Sequence, residues 1–328
     1  MEFKHYIRKL IIFFGPILEI VLFPFTIISS LWMRYIRECG VERMPLSKSI
    51  FNLIGVFPIK DHYYEPHFNP KRIIGSLHDR YLPGIKFDIN AQKNLLNKFD
   101  FTDELKQFSF NRESDEDFYF NNERFTVGDA EILYSMIRHF KPERVIEIGS
   151  GMSTLIASAA LKKNKSESEN YIYDHICIEP YPRSWLMKRN DIKLILKNLE
   201  EVGSEFFMNL QENDILFIDS THMIKPKGDV LTEYLEILPI IKPGVIIHIH
   251  DIFTPRNYPD EWILNAVSFW NEQYLLESIL SYSDKFEVLL ALNYLFYTEK
   301  ELLESRCPFL KNNFTKEPRS IWLRKIKF

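Results

Sequence analysis

The chain is poor in glycine, poor in cysteine and close to balanced in charge, and each shortage removes a class of protein. Glycine accounts for only 11 of 328 residues, so two glycines standing together carry information. The three cysteines, Cys39, Cys177 and Cys307, lie far apart and form no CxxC pair. That excludes a disulfide framework and a cysteine zinc site, and it points to a reducing compartment. Cys177 sits in a strand-like run and reads as a small core residue. A formal net charge of -4 excludes a nucleic-acid binder that works through a basic field. No repeat and no low-complexity linker is visible. What remains is 46% hydrophobic and 26% charged, the balance of a globular protein with a sizeable core.

Residues 10–32, "LIIFFGPILEIVLFPFTIISSLW", form an apolar run long enough to cross a bilayer. Its Leu, Ile, Val and Phe residues, at roughly -0.3 to -0.6 kcal/mol each, outweigh one central Glu19 at about +2.5 to +3.5 kcal/mol. Pro16 and Pro24 interrupt helix regularity. Lys4, Arg8 and Lys9 precede the run and Arg34 and Arg37 follow it, so orientation is not set by charge. No small-residue cleavage site follows, which argues against a signal peptide. The run is therefore expected to associate with a membrane, as a span, a re-entrant hairpin or an in-plane anchor. The competing reading is a buried or oligomer-forming apolar helix pair split at the prolines.

Three regions are expected: 1–38, the apolar segment; 39–125, a mixed extension; and 126–328, the main domain, whose mouth the extension shapes. In the main domain, "TVGDAEILYSMIRHF" has helical spacing. Short β-branched runs come after it at 144–149, 175–180, 192–197, 214–220 and 244–251, with helical segments between them. Such alternation predicts an α/β fold with a parallel sheet covered on both faces. After the fifth run come a helix over "WILNAVSFWNEQYLLESIL" and two more strands, "FEVLLALNYLF" and "SIWLRKI". With so little between them, these two are expected to pair antiparallel at a sheet edge.

Four motifs carry chemistry. In "VIEIGSGMST" a strand runs into Gly149-Ser150-Gly151 and then a helix, so backbone can approach a ligand and offer free N–H groups. Glu147 interrupts that strand, and Thr154 stands where a dinucleotide fingerprint wants its third glycine. Glu179, ending "ICIEP", is placed to accept both hydroxyls of a ribose. "DILFIDSTH" ends in Asp219, with His222 three residues on: a carboxylate suited to a metal and an imidazole suited to general-base work. Asp229, shortly after, reads as a helix N-terminal carboxylate. "VIIHIHDIF" places His248 and His250 on one strand face. His248 reads as a hydrogen-bonded core histidine. Asp219, His250 and Asp251 make an N/O donor set for a divalent cation.

In this order, the acidic GxG strand, the strand-end Glu, "IDSTH" and "HIHD" resemble the class I S-adenosylmethionine-dependent methyltransferases. The resemblance covers about residues 126–328, and "FIDSTH" and "PGVIIHIHDIF" are similar to the cephalosporin- and sugar-type O-methyltransferase branch. It implies a Rossmann-like, mostly parallel seven-stranded sheet with a reversed C-terminal β-hairpin. It implies that Glu147, Gly149, Ser150, Gly151, Glu179 and Asp219 contact S-adenosylmethionine. It makes Asp219 and His222 the catalytic pair, His222 as general base, with Mg, or Mn, Fe or Zn, held by Asp219, His250 and Asp251. His250 stands where metal-dependent relatives have a carboxylate, which leaves metal use open. The acceptor is expected to be a hydroxyl on a small molecule, glycan or surface-polymer precursor. Residues 60–92 and "FTPRNYPDEW" are expected lid parts. The expected location is the cytoplasm, at the inner face of a membrane. The alternatives are a nicotinamide oxidoreductase, which Thr154 disfavours, and an inactive cofactor-fold scaffold at the membrane.

Overall fold

The computed structural model describes every residue except 1, 63, 68–76, 79, 115 and 314–315, and leaves the side chains of 2–11 undescribed. The chain groups into two compact units, Met1–Ile74 and Gly75–Phe328, which divide the expected extension 39–125 between them.

The first unit is built on α1 (Glu2–Cys39) and α2 (Pro45–Ile54). Pro16 and Pro24 lie inside α1 without ending it, so the prolines do not split the run into a helix pair. The segment Ile12–Cys39 is long and apolar enough to cross a membrane by length and composition, and its apolar window is wholly exposed.

The second unit opens with α3 (Ile89–Asn97) and is built on a seven-stranded sheet in the order β3-β2-β1-β4-β5-β7-β6. The strands are β1 (Arg144–Ile148), β2 (Asp174–Ile178), β3 (Lys193–Ile195), β4 (Ile215–Ile218), β5 (Ile246–His250), β6 (Phe286–Ala291) and β7 (Ser320–Lys325). The first five pair in parallel, and β7 runs antiparallel between β5 and β6. This is the Rossmann-like sheet with a reversed C-terminal hairpin that the sequence predicts.

Buried parallel strands need apolar side chains on both faces, and the alternation shows. Val145, Ile215, Phe217 and Ile246 join the core under α4 (Asp129–Phe140) and α5 (Met152–Glu167). Ile146, Ile148, Leu216, Ile218, Ile247 and Ile249 join the core on the other face, with α6 (Glu272–Tyr282). The register then positions the site. Ile148 pairs with Ile178 and Ile218, and Ile218 pairs with Ile249. One residue further on, Gly149, Glu179, Asp219 and His250 therefore share one level at the C-terminal edge of the sheet, where ligands bind in open α/β folds.

Two expectations need correction. "FEVLLALNYLF" is a strand only to Ala291. Leu292–Thr298 is helical, and the helix Lys300–Arg306 comes next, before β7. Leu292 and Leu295, three residues apart on the first helix, are buried in one core with Leu303 of the second; the run of β-formers concealed the change to helix. "WILNAVSFWNEQYLLESIL" is not one helix: a π-turn over Glu261–Asn265 and an irregular stretch precede α6.

Near the start of α4, the buried Glu131 carboxylate accepts N–H groups from Gly128, Phe309 and Leu310, tying the C-terminal strap to the helix. Burial outweighs those donors and pushes its pKa from 4.5 up to about 7. The native state then holds an extra proton between those values, so stability falls as pH rises through that window. Urea denaturation should show this group costing on the order of 2–3 kcal/mol between about pH 4.5 and 7. Glu131→Gln should flatten that slope; an unchanged slope would contradict the assignment.

Candidate active site

The turn after β1 is fixed by contact. Gly149 adopts φ +79°, and a Cβ there would stand 1.9 Å from the carbonyl oxygen of Asp219. Only glycine allows that backbone conformation and that approach together. Gly149 N–H donates to Ile178 O at 3.0 Å and Asp219 N–H donates to Ile148 O at 2.9 Å, so the ends of β1, β2 and β4 are stitched to one another. Gly151 differs. It caps α5 with an extended φ of -171°, and a Cβ there would meet no atom within 4 Å. Its missing side chain leaves open space at a helix N-terminus.

That space is part of a cavity of about 510 Å³. Gly149, Ser150, Gly151, Glu179, Asp219, His222, His250 and Asp251 all line it. Seven of these come from the four sequence motifs as cofactor or metal candidates, and His222 as the catalytic one. Glu179 is held in place by two backbone donors, Ser150 N–H at 3.2 Å and Tyr181 N–H at 2.8 Å.

Glu147 is the exception. It is fully buried and does not line the cavity. Its carboxylate accepts Ser153 Oγ at 2.8 Å and Thr154 Oγ1 at 3.1 Å, and lies 2.5 Å from His175 Nε2. The cofactor contact expected of it is replaced by an internal role: it anchors the first turn of α5 beneath the glycine loop.

The charged centre is His222, in a left-handed conformation at φ +58°. Its Nδ1 lies 2.7 Å from Glu272 Oε2. Its Nε2 lies 3.3 Å from Asp219 Oδ1 and 3.4 Å from Asp251 Oδ2. Glu272 is also bonded to Tyr234 OH at 2.9 Å. Burial disfavours a charged imidazole, but hydrogen bonds to Asp219 and Glu272 and the charges of Glu272 and Asp251 outweigh it, raising the His222 pKa well above 6.5. Burial likewise raises Asp219, yet His250 and His222 overcome this and hold its carboxyl below the usual range. Three carboxylates thus surround His222 and favour its protonated form, and the general-base role expected of it would work against that bias.

The same geometry revises the metal set. The ligand atoms of Asp219, His222 and Asp251 lie within 4.8 Å of one another. Glu272 fixes the imidazole through Nδ1 and leaves Nε2 facing the two aspartates, the outer carboxylate support common at metal-binding histidines. His250 is not in that group. It lines the cavity beside Phe125, with ring centres 5.0 Å apart, and its Nε2 is 3.6 Å from Asp251. The donors fit a hard or borderline divalent cation.

His248 is buried, as expected, and stacks on Phe217 at 4.2 Å. Among the described residues, however, neither of its ring nitrogens has a hydrogen-bond partner. Burial, and then the charge of His250, hold its pKa well below 6.5. It is a neutral packing ring rather than a hydrogen-bonded one. Asp229 stands first in a short helix and accepts Thr221 N–H and Oγ, as its helix N-terminal reading requires.

Sequence reasoning missed Glu272, Arg319 and Trp270. Arg319 Nε lies 2.9 Å from Asp251 Oδ1, and its guanidinium sits over Trp262 at 5.3 Å. Trp270 lies 4.6 Å from the His222 ring. Trp262 closes the expected lid stretch "FTPRNYPDEW", and it does line the cavity. The part of the other expected lid stretch at 68–76 and 79 lies outside the described residues. A second cavity of about 530 Å³ shares Glu123, Trp262 and Arg319 with the first, so the two adjoin through a common wall.

Comparison with known proteins finds one family model and several partial likenesses. Residues 146–252 match a family model described as a methyltransferase domain. An uncharacterised protein of Archaeoglobus fulgidus is 35% identical over 102 residues; the match spans 30% of this chain and 44% of that protein. Among solved structures, the chain is similar to a SAM-dependent methyltransferase from Archaeoglobus fulgidus at 12% identity and TM-score 0.32, covering 60% of this chain and 94% of that one. It is also similar to MycE methyltransferase of the mycinamycin biosynthetic pathway, solved with Mg, SAH and mycinamycin VI. There the identity is 16% and the TM-score 0.31, over 58% of this chain and 48% of that one.

Proposed function

We propose that the protein is an S-adenosylmethionine-dependent O-methyltransferase acting at a membrane surface on a hydroxyl of a small molecule, glycan or surface-polymer precursor. The observation that carries this reading is the single cavity where the Gly149–Gly151 loop, Glu179 and the Asp219–His222–Asp251 cluster meet. The match of 146–252 to a methyltransferase domain supports it. Thr154, buried and bonded to Glu147 where a dinucleotide loop needs glycine, weighs against a nicotinamide cofactor.

The fit can be argued from the chain's own atoms. Glu179, oriented by two backbone N–H groups, presents a carboxylate to a pair of ribose hydroxyls. The open volume at Gly151 and the helix N-terminus beside it accept a ligand's polar end. Bound S-adenosylmethionine would supply an electrophilic methyl group. A divalent cation on Asp219, His222 and Asp251 would supply Lewis acidity toward the acceptor oxygen.

The chain's residues do the remaining work. The adjoining cavity, with Trp262, Asn257, Arg256 and Lys316 in its walls, receives the acceptor and orients its hydroxyl toward the shared wall. Asp219, His222 and Asp251 orient the acceptor oxygen toward the methyl group, and the acceptor's proton leaves through the adjoining cavity. Trp262 and Trp270 exclude water. The exposed apolar helix α1 holds the protein at the membrane, and the cofactor's cytosolic supply puts the catalytic unit on the cytoplasmic side.

Three experiments test this. Trp262 and Trp270 line the cavity, so S-adenosylhomocysteine should change tryptophan fluorescence and NAD should not; a response to NAD alone would overturn the cofactor. Gly151→Ala should fold with stability within about 0.5 kcal/mol of wild type, because its Cβ meets nothing, yet bind S-adenosylhomocysteine about tenfold or more weakly by filling cofactor space. Wild-type affinity in that variant would remove the loop from the site. In a screen of hydroxyl acceptors with labelled S-adenosylmethionine, Asp219→Asn should lower turnover by about 100-fold or more. Chelator should lower it too, and full activity in chelator would sink the metal assignment.

A further inference from the structure

No residue of α2, "PLSKSIFNLI", is buried. Its exposed apolar side chains are Leu46, Ile50, Leu53 and Ile54, at i, i+4, i+7 and i+8, which is one stripe of a helix. Lys48 and Asn52 fall on the opposite side. Past the left-handed cap at Gly55, Val56, Phe57 and Ile59 are exposed as well. So large an unpartnered apolar face is rare in water and marks a surface that something covers.

The neighbouring helix says what covers it. Ile12–Cys39 is 28 residues long, or about 42 Å at about 1.5 Å per residue, against a hydrocarbon core of about 30 Å. Its apolar part ends where Trp32 and Tyr35 stack at 5.7 Å, with Arg34 and Arg37 beside them, the side chains that settle at a headgroup boundary. Arg37 is tied down there, paired with Glu65 and placed over the Phe57 ring at 5.1 Å. Lys60 reaches Glu38 at 3.3 Å. The chain on both sides of α2 is therefore fixed to the C-terminal end of α1, at the level of the headgroups.

We propose that α2 lies flat in the lipid–water interface, its Leu46–Ile50–Leu53–Ile54 stripe in the acyl boundary and its Lys48 side facing water. The partner is a bilayer surface. This rests on reading α1 as a membrane helix and goes beyond it: α1 provides the anchor, and α2 fixes the angle and depth at which the anchored chain leaves the membrane. A helix with a strong apolar face and a basic polar face seats about 5–10 Å into that boundary.

The test uses the full chain reconstituted in phosphatidylcholine–phosphatidylglycerol vesicles. Cys177 and Cys307 are buried and Cys39 is half-buried, so a Cys39→Ser background allows single environment-sensitive labels at Phe23→Cys, Leu53→Cys and Asn52→Cys. No buried side chain is touched in α2, so these variants should fold. Spin-labelled lipid should quench positions 23 and 53 about threefold more than position 52, and aqueous iodide should quench position 52 most. Lipid quenching at 23 with 53 no different from 52 would overturn the α2 proposal and leave the α1 anchor standing. No lipid quenching even at 23 would overturn both. Position 53 shielded from lipid and iodide alike would mean that protein, such as a second copy of this chain, covers the stripe, and this too would overturn it.

Discussion

The candidate site depends on one contact: the backbone of Gly149 lying against the carbonyl of Asp219, too close for any side chain. The contact welds the turn after β1 to the end of β4. The parallel register then brings Glu179 and His250 to the same level. The glycine loop and the Asp219 carboxylate are thereby placed in one cavity. They meet because β1 and β4 are paired neighbours, about 4.8 Å apart. The glycine shortage of the chain fits this. The residue is kept where the backbone has no alternative.

Charge sets the second constraint. Asp219, Asp251 and Glu272 crowd one imidazole, and burial makes each uncompensated charge costly. The fold answers by bringing Arg319 to Asp251 and by holding the His222 ring between the carboxylates, which raise its pKa. An imidazole three residues after an aspartate, the spacing that suggests a base, is here fixed on both ring nitrogens by carboxylates. Spacing reports reach; protonation state depends on every carboxylate that tertiary structure delivers, and Glu272 arrives from fifty residues further along the chain.

That distinction separates what was legible in the sequence from what was not. The sheet could be read because buried strands need apolar runs, and those runs end abruptly in Gly149, Glu179, Asp219 and His250. The hairpin could be read from two runs with little between them, although the helix inside "FEVLLALNYLF" was concealed by residues that favour strands. His248 could be assigned to the core, but its stacking on Phe217 could not, since that partner comes from the neighbouring strand. Arg319 and Glu272 had no local signal at all: each sits in an ordinary polar stretch and acquires meaning only from what the fold sets opposite.

Glu147 shows how a correct motif can mislead about a role. An acid inside a buried strand has to be satisfied, and a ligand is one way to satisfy it. Here the protein does so internally, with Ser153, Thr154 and His175. The hydroxyls belong to the first turn of α5, so the same bonds fix the helix whose N-terminus opens on the cavity. The acid therefore acts one layer beneath the ligand surface. Its effect reaches the cavity through the position of Gly151 and the backbone N–H groups behind it, while Glu179, one strand over and held by Ser150 and Tyr181, is left as the carboxylate that faces the cavity.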